Sequence, residues 1–90
     1  MPYIEQSERN HLDRAIKGLA KKIDQIPCEQ SLPVGILNYC ITRLLLSTNP
    51  SRYTDYNSLI GVLECVKLEL YRRAVGPYDN GKAEENGDVY

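Results

Sequence analysis

The stretch RYTDYNSLIGVLECVKLELYRR, Arg52 to Arg73, decides the fold. Leu59, Leu63, Val66 and Leu70 recur at intervals of three and four residues, which puts them along one side of an α-helix. The spacing predicts a helix from about Asp55 to Val75, entered through a single turn over Arg52 to Tyr56. Gly76-Pro77 is expected to end it, since glycine favours a helix C-terminus and proline lacks the N–H that would continue the ladder. A second face, Asn57, Gly61, Glu64, Leu68 and Tyr71, follows the same period. Gly61 weakens a helix, so its presence points to a backbone or ligand approaching closely there.

Upstream, ILNYCITRLLL (Ile36 to Leu46) is apolar on more than one side, as expected of a central helix with neighbours on two faces. Ser31 can cap it, Pro33 suits its first turn, and Asn49-Pro50-Ser51 breaks it. Further back, Leu12, Ala15, Ile16, Leu19, Ile23 and Ile26 form one stripe between Ser7, a suitable N-cap, and Pro27, a stop. No segment of the body alternates as a strand would. The fold class is all-α: a three-helix bundle-like subunit with an extended C-terminal tail, completed by oligomerisation. Residues 1–76 form the helical domain. Residues 77–90, acidic and poor in apolar side chains, form the tail, with a turn at Asn86-Gly87 before Asp88-Val89-Tyr90.

Size supports the oligomer. Ninety residues make one domain at most, and a body this small gains stability by burying apolar surface against another subunit. The formal net charge is −1, which excludes non-specific duplex nucleic-acid binding, a function that calls for a basic excess. Met1 to Gly76 carries ten Lys/Arg against eight Asp/Glu, or +2, and the remainder carries one lysine against four acids, or −3. Three cysteines without Cys-x-x-Cys spacing and a single histidine argue against zinc and against a disulfide framework. No segment resembles a signal peptide or a membrane span, so the expected location is cytoplasmic.

Catalysis is not expected. His11 stands alone on a charged helix surface, Glu64 and Glu69 are five apart and do not face each other, and no phosphate loop or nucleophile elbow occurs. No cofactor or metal is implied. The informative feature is aromatic: all seven aromatic residues are tyrosines, whose hydroxyls seek a partner when buried. Several stand beside arginines. Arg43, Arg52, Tyr53, Tyr56, Lys67, Tyr71, Arg72, Arg73, Tyr78 and Tyr90 are therefore the candidate ligand-binding set, the rings stacking on a planar group and the cations meeting phosphate. Two structural alternatives compete. Cations near a helix C-terminus stabilise the helix dipole, and Asn38, Thr42, Arg43, Asn57, Glu64 and Tyr71 would form a buried hydrogen-bond network if the second and third helices pack there.

NYCITRLLL, RYTDYNSLIGVLECVKLELYRR and PYDNGKAEENGDVY together resemble a family of short uncharacterised phage and bacterial proteins, over roughly Asn38 to Tyr90. The resemblance implies a phage or prophage setting, hence a host-cell cytoplasm, and a role for the final Glu-Asn-Gly-Asp-Val-Tyr. It implies no mechanism. Two functions fit. One is a homo-oligomer that sequesters a host immune nucleotide signal, such as a cyclic nucleotide or an ADP-ribose derivative, with the acidic tail as a lid. The other is a protein-binding module that inhibits a host protein, since Tyr and Arg are also favoured interface anchors.

Overall fold

In the computed structural model, which describes residues 3–90, every regular element is helical. α1 spans Gln6–Asp24, α2 Val34–Leu46, α3 Tyr53–Leu70 and α4 Gly76–Asn86, with a π-helical turn, Tyr71–Val75, joining α3 to α4. The all-α expectation holds. The chain divides into two compact units, one holding Tyr3–Ser51 and the other Arg52–Tyr90.

In the first unit, α1 starts one residue before the expected cap. Glu5, not Ser7, stands at the N-cap; its carbonyl accepts the N–H groups of Glu8 at 3.0 Å and Arg9 at 3.1 Å. The Arg9 side chain folds back to donate from Nε to the Ile4 carbonyl at 2.8 Å, fixing the entry. Pro27 lies beyond the helix end, as expected. Before α2, Pro33 rather than Ser31 occupies the N-cap, and its carbonyl accepts the Leu37 N–H at 2.9 Å. α2 ends on two hydroxyls. Ser47 Oγ donates to the Arg43 carbonyl and Thr48 Oγ1 to the Leu45 carbonyl, each at 2.6 Å. Asn49 then turns the chain at φ 60°, a conformation asparagine tolerates better than most residues.

In the second unit, Arg52 caps α3, and its N–H donates to Asp55 Oδ2 at 3.0 Å. The largest departure from expectation lies at the other end. Gly76-Pro77 does not stop the helix, and residues 77–86, expected as an extended tail, are helical. The π-turn explains how. A proline in an α-helix has no N–H and drives its ring toward the carbonyl four residues back, here Arg73. Widening the turn moves that carbonyl away, and the Gly76 N–H bonds five residues back to Tyr71. Gly76 itself is helical at φ −55°, ψ −53°, a region that side-chain-bearing residues avoid before proline.

Past the turn, α4 is a regular helix of eleven residues with Pro near its start, where the lost N–H was an orphan anyway. Asp79 lies in its first turn, and Lys82 pairs with Glu85 at 3.3 Å. Gly87, at φ 90°, ends it and donates its N–H to the Ala83 carbonyl at 2.9 Å. The Asn86-Gly87 pair is thus a helix terminus rather than a hairpin-like turn. Gly87 to Tyr90 lie beyond this last helix.

If Pro77 is what sustains the π-turn, Pro77→Ala relaxes it to α-helix and adds a main-chain hydrogen bond. The variant should then be more stable than the parent, by up to ~3 kcal/mol. Urea unfolding followed by circular dichroism measures this, and an unchanged or lower midpoint contradicts the account.

Candidate functional site

None of the described residues is buried in either unit taken by itself. The expected stripes exist but stay in the open. On α1, Leu12, Ile16 and Leu19 are exposed and Ile23 is half-buried; on α3, Val66 and Leu70 are exposed and Leu59 is half-buried. The hydrophobic core expected of each helix is therefore absent within the units.

Two grooves result. In the first unit, the end of α1, the connecting loop and the start of α2 surround about 510 Å³, with Ile23, Ile26, Leu32 and Leu37 among the lining. None of the candidate ligand-binding residues lines it, and Asp24 is its one charged side chain. That makes it unsuited to an anion. Sequence reasoning missed this groove because its walls come from a loop, where periodicity carries no signal.

In the second unit, a groove of about 690 Å³ runs along α3. Two neighbouring rows border it, each stepping by four residues: Ser58, Val62, Val66 and Leu70 in one, Gly61, Cys65, Glu69 and Arg73 in the other. The groove opens at Gly61, where an added Cβ would meet nothing within 4 Å. The close approach expected at Gly61 is not seen within the chain: the space beside it is open. The neighbours of Gly61 also differ from expectation, being Val62 and Cys65 rather than Asn57, Glu64 and Tyr71. Of the ten candidates only Arg73 lines this groove.

The other candidates are spread along the chain. Arg43 belongs to α2 in the first unit. Arg52, Tyr53 and Tyr56 stand at the start of α3, whereas Lys67, Tyr71, Arg72 and Arg73 stand at its end or in the π-turn. Tyr53 and Tyr71 are eighteen positions apart, which at about 1.5 Å per residue separates them by roughly 27 Å. One ring cannot meet the other around a small molecule within one chain. Tyr78 lies on α4 with Lys82 Nζ 5.8 Å from its ring centroid, and Tyr90 is exposed beyond the last helix.

The cations at the end of α3 also have acidic neighbours. Arg72 grips Glu69 through Nη2 at 2.6 Å and Nε at 3.4 Å, and Lys67 Nζ lies 3.4 Å from Glu64 Oε1. Tyr71 donates its hydroxyl to Asp79 Oδ2 at 3.4 Å. The two ion pairs join residues three apart on one helical face, a local source of order that spacing makes readable. Members of the expected polar network likewise find local partners: Thr42 Oγ1 donates to the Asn38 carbonyl at 2.8 Å, within its own helix. Among the described residues no group of three or more His, Cys, Asp or Glu could hold a metal ion. No helix among them is long and apolar enough to cross a membrane.

With the helices and grooves described, the comparison with known families is informative. A family model described as "Domain of unknown function (DUF6899)" matches residues 1–89. The chain belongs to the DUF6899 family. No curated protein and no solved structure matches it. Membership therefore covers both units and the C-terminal helix of this DUF6899 protein, beyond the Asn38-to-Tyr90 span of the sequence resemblance.

The Arg72–Glu69 contact is exposed, and surface pairs contribute little. Glu69→Gln should shift stability by no more than ~0.5 kcal/mol in denaturant unfolding. A loss several times larger would show that Glu69 supports more than its arginine.

Proposed function

We propose that this chain is non-enzymatic and works by associating with protein through its helix faces. The observation that carries the reading is the absence of any buried residue within either unit. Burying a Val or Leu side chain is worth about 1.5–3 kcal/mol, and here that stabilisation is largely unclaimed. Helices shorter than about 12–15 residues are marginal alone in water. α2, with 13 residues, thus needs packing to persist. In the phage setting implied by the sequence resemblance, such a module would inhibit a host protein in the host cytoplasm.

Sedimentation velocity over a range of protein concentrations, paired with circular dichroism, tests this reading. The expected result is a helical species heavier than the 10.2 kDa chain. A stable, cooperatively melting monomer that binds no apolar dye would overturn it.

A second reading keeps the sequestrant: a homo-oligomer that traps a small anionic ligand of the nucleotide class. What favours it is Arg73 on the rim of the α3 groove, a cation beside an apolar surface whose volume, about 690 Å³, falls in the small-molecule range. The dispersal of the tyrosines means that such a site would draw its rings from more than one chain. Thermal shift against cyclic dinucleotides, cyclic trinucleotides and ADP-ribose derivatives tests it. A ligand at a hundred times its Kd should add about 2.7 kcal/mol of stability, and Arg73→Ala should remove the gain. No shift with any of the three classes counts against this reading alone.

A further inference from the structure

We infer that the occupant of the α3 groove is the same groove of a second copy, laid antiparallel about a two-fold axis near Cys65 and Val66. The inference rests on the association reading above and names the partner for this one face.

The first support is the taper of the groove. Along one row the side chains run from Ser58 through Val62 and Val66 to Leu70, and along the other from Gly61 through Cys65 and Glu69 to Arg73. The N-terminal half is thin and the C-terminal half thick. Two copies running in the same direction would place thin against thin and thick against thick, leaving a void at one end and crowding at the other. Reversed, thick meets thin throughout and the helix axes stay evenly separated. Such a two-fold contact is isologous, the commonest arrangement in soluble oligomers.

Charge on the groove agrees. Its charged lining residues, Glu69 and Arg73, both lie in the C-terminal half. A parallel neighbour sets each against its like, whereas an antiparallel one sets them against Val62 and Ser58.

Length supplies the need for a partner. The unit from Arg52 to Tyr90 is shorter than about 40 residues, a size at which lone folding usually requires a disulfide, a metal or oligomerisation. Its cysteine, Cys65, is not disulfide-bonded, and no metal cluster occurs among the described residues. Val62, Val66 and Leu70 meanwhile stand 50%, 56% and 61% exposed. A second copy supplies the missing cover.

Site-directed cross-linking of the full chain tests the arrangement. Two variants are made in a background with Cys28, Cys40 and Cys65 replaced by alanine: Ser58→Cys and Arg73→Cys. In the antiparallel pair, position 58 of one copy lies level with position 73 of the other, whereas like positions stand about 22 Å apart. With a bismaleimide too short to span that gap, an equimolar mixture should give roughly tenfold more linked dimer than either variant alone. Circular dichroism confirms that each variant keeps its helices, and sedimentation velocity reports association separately. Equal linking by one variant alone overturns the antiparallel direction. Association without any linking overturns this face as the interface while leaving the association reading intact. A monomer in sedimentation overturns both.

Discussion

Main-chain hydrogen bonding within each helix is what every other feature of this chain depends on, because side-chain packing inside either unit supplies so little. Four of the helix ends are closed by local devices: the Glu5 carbonyl, the Asp55 carboxylate, the Ser47 and Thr48 hydroxyls, the Gly87 N–H. Such devices satisfy the orphan groups of a helix terminus but hold no helix against another. Propensity and caps can outline a helix, whereas tertiary contact is what normally stabilises it. The exposed apolar rows on α1 and α3 are where that contact has still to be made.

Much of the helical layout was legible in the sequence, and for definite reasons. The repeat of Leu59, Leu63, Val66 and Leu70 marks a helix whether or not its face is covered, since periodicity reflects the need for an apolar side and not the identity of what meets it. Pro27 and Asn49-Pro50 end helices as a missing donor and a left-handed turn require. Gly76-Pro77 misled because proline was weighed against an α-helix only. A turn that bonds five residues back has room for the ring, and no residue pattern announces it. The acidic segment after it misled through composition: Asp79, Lys82, Ala83 and Glu85 lack an apolar stripe, yet they suit a helix extended from an existing one, for which the costly first turn is already formed.

The candidate site was less legible. Tyr and Arg were chosen as residue types able to stack and pair, and type says nothing about distance along a rod. The helical rise alone sets Tyr53 and Tyr71 far apart, and the three-residue spacing of Glu69 to Arg72 and Glu64 to Lys67 hands two of the cations to carboxylates on the same helix. Gly61 stands out because a glycine inside a helix is a cost without local return, yet nothing in the chain comes close to it. The groove around it was not readable, since Ser58 and Cys65 carry no strong apolar signal and matter here by being small.

The π-turn also sets angular phase. Tyr71 and Asp79 are eight positions apart, and in an unbroken α-helix eight steps of about 100° leave two side chains roughly 80° out of line. They meet at 3.4 Å because the wide turn absorbs one extra residue, so that eight steps cover the two revolutions that seven normally do. Between α3 and α4 the chain therefore carries a vernier: losing or gaining one residue from Tyr71 to Val75 would barely alter its length but would rotate everything beyond. The orientation of the C-terminal helix is fixed by a residue count, which makes this short segment far less tolerant of insertion or deletion than its exposure suggests.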